Sequence, residues 1–216
     1  MGRISVNFHA DNLIQPCVEA AVEAGKPLKL NIIRKENSEH DFNMQALIAK
    51  EYISNSHADI QTCAYVDTYE EAIRATTLPC DEIAVDSGLL NDEEIRDIIK
   101  VCHAVHRTVQ VKCDEIDAVR KYAGFGADSV RVGQYIAKEA SSYLDIVTVL
   151  ENETIGEANT YFEEGVSEIV LDASLNKAAT KTMRAQKEVN AFSIKVIEEY
   201  FRGYKEQIVA FLKEVA

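Results

Sequence analysis

Short apolar and β-branched runs alternate along this chain with stretches whose apolar residues recur three and four apart. The runs Ile4–His9, Leu28–Ile33, Ile60–Val66, Glu82–Asp86, Thr108–Lys112, Ser129–Val132, Ile146–Leu150 and Glu168–Asp172 read as strands. Between them, Leu13–Ala24, Met44–Ser54, Tyr69–Thr76, Glu93–His106, Ile116–Ala123, Tyr135–Ser142 and Ile155–Glu164 carry the helical spacing. Start signals support two of these helices: Asn91 and Asp92 precede Glu93 and Glu94, and Thr68 precedes Glu70 and Glu71. The GAD run at 126–128 and the EGVS run at 164–167 each end a helix and launch a strand. Glycine suits the left-handed position that closes a helix.

Strict alternation of strand and helix makes a parallel α/β fold with right-handed crossovers. Eight strands, with no Gly-x-Gly-x-x-Gly after the first, favour a compact single (β/α)8 TIM barrel over an open doubly wound sheet. Residues 1–216 then form one domain, with 178–216 supplying the last helix and a C-terminal helical extension. That additional C-terminal helix is free to cap a barrel end or to join a second subunit in a homo-oligomer.

Within each strand the apolar residues fall on one face and the polar ones on the other. Ile4, Val6 and Phe8 oppose Ser5, Asn7 and His9; Ile83 and Val85 oppose Glu82 and Asp86. Val109, Val111 and Cys113 oppose Gln110, Lys112 and Asp114; Val130 and Val132 oppose Ser129 and Arg131. Lys29 and Asn31 are the polar set of the second strand, and Glu168, Asp172 and Ser174 that of the last. In a parallel barrel the helix-facing set is apolar and the alternate set faces the axis. Buried charges without partners are expensive, so His9, Asn31, Asp86, Lys112, Arg131 and Asp172 near the strand ends read as a lined pocket. The alternative is an interior network in which these groups satisfy one another.

Lys112 lies one strand after Asp86 and one before Arg131. A lysine beside another cation in a drying pocket loses its proton more readily, as a Schiff-base nucleophile must. Asp86 then serves as acid and base, while Arg131, Ser174 and Lys177 hold an anion. A plain Lys112–Asp86 ion pair is the competing reading. Asp86 and Asp172 as paired carboxylates would instead support a sugar-phosphate isomerase or epimerase. His103 and His106, three apart on a helix away from the axis, read as a surface pair rather than a metal site.

Composition narrows the partners. The 216 residues carry 36 Asp and Glu against 23 Lys and Arg, a net charge of −13. That balance argues against nucleic acid and anionic membranes, but leaves room for a small anionic substrate in a locally positive pocket. Five cysteines without a C-x-x-C pair, and no apolar leader, point to a cytoplasmic protein without a disulfide framework.

The opening stretch ISVNFHADNLIQ at 4–15, with VEAG at 22–25 and a strand after Pro27, resembles the start of the class II fructose-bisphosphate aldolases. EIAVDSG at 82–88 followed by NDEEI at 91–95 resembles their fourth strand and its helix, and EGVSEIVLD at 164–172 their last strand. The resemblance implies a TIM barrel and aldolase-type lyase chemistry on a sugar phosphate, with Asp86, Ser87 and Asp172 at matching positions. The departures fall on the metal site. The family's Asp-His-Gly after strand three is Ala64, Tyr65 and Val66 here, its His-Gly after strand seven falls near Glu151 and Asn152, and its acidic strand-five motif is Lys112, Cys113 and Asp114. The expectation is therefore an aldolase-type carbon–carbon lyase without a metal or other cofactor, acting on a small phosphorylated or carboxylated carbonyl compound. A non-catalytic barrel serving as a binding or partner subunit stands beside it.

Overall fold

Residues 2–8, 13–33, 42–144, 147–149, 155–171 and 194–214 are described by the computed structural model. Their order is β1 (Arg3–Phe8), α1 (Ile14–Ala24), β2 (Leu28–Ile33), α2 (Phe42–Ser56), β3 (Ile60–Val66), α3 (Tyr69–Ala75), β4 (Glu82–Asp86) and α4 (Asp92–Ala104). Then follow β5 (Thr108–Cys113), α5 (Ile116–Phe125), β6 (Ser129–Val132), α6 (Gln134–Ala140), β7 (Val147–Val149), α7 (Ile155–Glu163), β8 (Glu168–Leu171) and α8 (Ile194–Glu214). Each strand pairs in parallel with the next, and β8 returns to β1 through Ile4↔Ile169 and Val6↔Leu171, so the sheet closes into a ring.

The apolar faces of β1, β2, β4, β5, β6 and β8 pack outward against the helices. Ile4, Val6, Leu28, Leu30, Ile32, Ile83, Val109, Val111, Val130, Val132, Ile169 and Leu171 are all buried there. The helices meet them with matching stripes, such as Ile95, Ile98, Ile99 and Cys102 on α4. The start of α4 is a capping box: Asn91 accepts from the backbone of Glu93 and Glu94, and Glu94 returns a bond to the Asn91 N–H. Its end comes earlier than the periodicity predicts, because His106 takes a left-handed φ of 59° and turns the chain toward β5. Gly126, at φ 97°, closes α5 in the same way.

The C-terminal helix lies alongside α1 rather than over an end of the ring. Tyr204, Ile208, Val209 and Leu212 of α8 are buried, and the Cys17 thiol lies against the Tyr204 hydroxyl. Lys205 reaches Glu23 at 2.9 Å across the same seam. No helix among the described residues is long and apolar enough to cross a membrane.

Candidate functional site at the C-terminal ends of the strands

The axial residues stack in layers drawn from alternate strands, the arrangement expected of a parallel barrel. Lys29 of β2, Glu82 of β4, Ser129 of β6 and Glu168 of β8 form the layer nearest the strand N-termini. Lys29 Nζ donates to Glu168 Oε2 at 3.1 Å and pairs with Glu82, while Ser129 Oγ donates to Glu82 Oε1 at 3.1 Å. Burial opposes the charge of Lys29, but the carboxylates of Glu82 and Glu168 outweigh it and hold the lysine pKa above its ordinary value. Cys63, beside this layer, is pushed the same way by burial and by Glu82.

The next layer ties the first to the centre. Gln110 Nε2 donates to Ser129 Oγ at 3.3 Å and to Thr148 Oγ1 at 3.0 Å, and Gln110 Oε1 accepts from Tyr65 OH at 2.8 Å. Above it, two residues further along the even-numbered strands, come Asn31, Ala84, Arg131 and Val170, all buried. Asn31 Nδ2 donates to Asn7 Oδ1 at 2.9 Å. The Arg131 guanidinium lies 4.6 Å above the Tyr65 ring, and burial raises the Tyr65 phenol well above its usual range.

Lys112 and Asp86 occupy the C-terminal ends of β5 and β4, paired in register. Lys112 Nζ donates to Asp86 Oδ2 at 2.6 Å, and the two side chains remain 35% and 24% exposed. The other oxygen, Asp86 Oδ1, accepts from the Gly88 N–H at 2.8 Å, so the turn after β4 aims the carboxylate at Lys112. A carboxylate and an amine at this distance can pass a proton directly.

Of the residues singled out from sequence, the structure brings Asp86 and Lys112 together and sets Arg131 on the strand beside Lys112, in register with it. Asn31 lies deeper, in the layer of Arg131. His9, Asp172, Ser174 and Lys177 lie outside the described residues. Lys29 does not add positive potential to the mouth of the barrel, since Glu82 and Glu168 enclose it. The charge neighbouring Lys112 in direct contact is Asp86, and Arg131 contacts Tyr65. His103 bonds Asp128 at 2.8 Å near the strand N-termini, far from these groups in the fold.

Tyr65 and Gln110 complete the site without having been singled out. The period-two alternation of Ile60–Val66 was the available signal, because it places Gln61, Cys63 and Tyr65 on one face of β3.

A divalent metal does not fit these residues. No group of three or more His, Cys, Asp or Glu among the described residues could hold one. The β3 position where the aldolase resemblance would call for ligands carries Ala64, Tyr65 and Val66, and the Tyr65 hydroxyl is engaged by Gln110.

No family model matches the sequence, and no curated relative matches it either. Solved structures do match the fold. The YdjI aldolase from Escherichia coli K12 has a TM-score of 0.83 at 14% identity, covering 100% of this chain and 91% of that one. A candidate fructose-1,6-biphosphate aldolase from Coccidioides immitis has a TM-score of 0.76 at 14% identity, covering 99% of this chain and 89% of that one. In fold, this chain is similar to aldolases.

Proposed function

We propose that the chain is a complete (β/α)8 barrel of the TIM type and an aldolase-type carbon–carbon lyase acting on a small anionic carbonyl compound through a Lys112 Schiff base. The observation that carries this reading is the Lys112–Asp86 contact at 2.6 Å, accessible at the strand C-terminal ends while Lys29, Glu82 and Glu168 are sealed together at the other end. Such barrels place their chemistry at that face.

The proton ledger closes within the pair. Asp86 takes a proton from the Lys112 ammonium, and the free amine adds to the substrate carbonyl carbon. The added nitrogen then gives up one proton to the departing oxygen and Asp86 returns the other, so the oxygen leaves as water and the nitrogen remains as an iminium. The iminium draws in the electrons of the carbon–carbon bond beyond the adjacent carbon. As that bond breaks, Asp86 accepts the proton of the hydroxyl that becomes the aldehyde. Hydrolysis of the protonated enamine restores Lys112.

The test is aldehyde release from a panel of phosphorylated and carboxylated ketols, with a chelator present throughout. The expected result is turnover that persists in chelator, is abolished by Lys112→Ala and falls about 10²-fold or more in Asp86→Asn. Chelator-sensitive turnover that survives Lys112→Ala overturns the proposal. A second reading, a non-catalytic barrel, draws on the mutual pairing of Lys29, Glu82, Ser129, Gln110 and Thr148 along the axis. Small anions that bind with no ketol cleaved would favour it.

A further inference from the structure

We propose that Arg131 is the receptor for the carboxylate of a 2-oxo acid, whose carbonyl it sets against Lys112. The role of Lys112 rests on the lyase reading above; the anion site does not.

Arg131 is 4% exposed, yet among the described residues none forms an ion pair with it or accepts a hydrogen bond from it. Its Nε is fully buried with no acceptor. A buried cation in that condition is costly to the fold. Lys29, two layers below, shows how this barrel treats a buried charge that is structural: it faces two carboxylates. Arg131 has an aromatic face instead. The other polar member of its layer, Asn31, has an unmatched buried atom of opposite kind, the acceptor Oδ1. Among the described residues, one layer therefore offers a buried donor, Arg131 Nε, and a buried acceptor, Asn31 Oδ1, each without a partner.

The support under the guanidinium fixes its plane. Tyr65 stacks against it at 4.6 Å and is itself pinned through its hydroxyl to Gln110, which Ser129 and Thr148 hold in turn. A planar fork held in one orientation matches a planar carboxylate.

Charge and spacing narrow the ligand class. Among the described residues Lys112 and Asp86 cancel, which leaves the positive charge of Arg131 near the mouth. Below it, Glu82 and Glu168 outnumber Lys29 by one, so a monoanion is accommodated more readily than dianionic phosphate. Arg131 and Lys112 are register partners on neighbouring strands, about 4.8 Å apart in a parallel sheet. An anion and a carbonyl engaged by adjacent strands must be close in the ligand. In a 2-oxo acid they are directly bonded.

The probes are pyruvate, acetone, which lacks the carboxylate, and inorganic phosphate, followed by ligand-observed NMR titration. Wild-type protein is expected to bind pyruvate saturably, with phosphate failing to displace it. Arg131→Lys should weaken pyruvate about 10- to 100-fold, the equivalent of one charge-assisted bond, and leave acetone unchanged. Tyr65→Phe keeps the ring but frees it from Gln110 and should lower pyruvate affinity by less than Tyr65→Leu, which removes the ring; neither should change acetone. Circular dichroism confirms that each variant is folded. Phosphate binding more tightly than pyruvate at this site, or pyruvate binding indifferent to Arg131→Lys, overturns the inference. Pyruvate held by Arg131 with no ketol cleavage sinks the lyase reading alone. Lys112-dependent cleavage with pyruvate indifferent to Arg131→Lys sinks this inference alone.

Discussion

Replacing Lys29 by methionine keeps the length and apolar stem of the side chain and removes its charge. Two buried carboxylates, Glu82 and Glu168, then face each other's field without a counter-ion. The Lys29–Glu168 contact at 3.1 Å corresponds to an attraction of about 5 kcal/mol at an effective dielectric constant near 20. The desolvation of lysine offsets part of that, and breaking buried pairs from one side costs about 3–5 kcal/mol. Since domains of this kind have about 5–15 kcal/mol in total, Lys29→Met should lose a fifth or more of its stability. The assay is urea unfolding followed by circular dichroism, analysed by linear extrapolation. Adding Glu168→Gln to Lys29→Met should recover part of the loss. In the wild type the folded pKa of Lys29 is raised, so its contribution is fully present below the unfolded value of about 10.4 and declines as pH rises above it. A Lys29→Met protein within about 1 kcal/mol of wild type at neutral pH would refute the claim that this layer is a structural ion cluster.

Three further outcomes follow from local geometry. Asn91→Ala removes the acceptor for two backbone N–H groups at the start of α4 and should cost about 1 kcal/mol in the same unfolding assay. Gly126→Ala meets only ordinary contacts, with Ile99 at 3.9 Å, but forces alanine to φ 97°, a backbone cost of about 1–2 kcal/mol visible as a lowered Tm. All five cysteines are buried, and burial pushes Cys17, Cys80 and Cys113 up to about 12 and Cys102 to about 11. Iodoacetamide at about pH 8, close to the ordinary thiol pKa, should leave native protein unmodified and label every cysteine once urea is added, as read by intact mass.

The strand–helix alternation was legible because each strand carries apolar residues on one face and polar ones on the other, a pattern that survives without knowledge of tertiary contacts. The same alternation marked Lys29, Asn31, Asp86, Lys112 and Arg131 as axial, and all five lie on the side of their strands that the axial network occupies. Pairing was not legible, since it is set by layers that join alternate strands far apart in the chain. Lys29 meets Glu82 and Glu168 because β2, β4 and β8 contribute to one layer. Adjacent strands put Lys112 next to Arg131 on paper, yet each side chain has its own partner, Asp86 for one and the ring of Tyr65 for the other. The tyrosine's contribution depends on a hydrogen bond to Gln110 two strands away, which no spacing in β3 discloses.

In the proposed lyase the reactive amine is Lys112 and not the enclosed Lys29. Incubation with pyruvate, reduction with borohydride and peptide mapping by mass spectrometry tests it most directly. The expected product is a reduced pyruvate adduct on the peptide carrying Lys112, lost in Lys112→Ala, with Lys29 unmodified. An adduct that survives Lys112→Ala, or no adduct on protein shown to bind pyruvate, would contradict it.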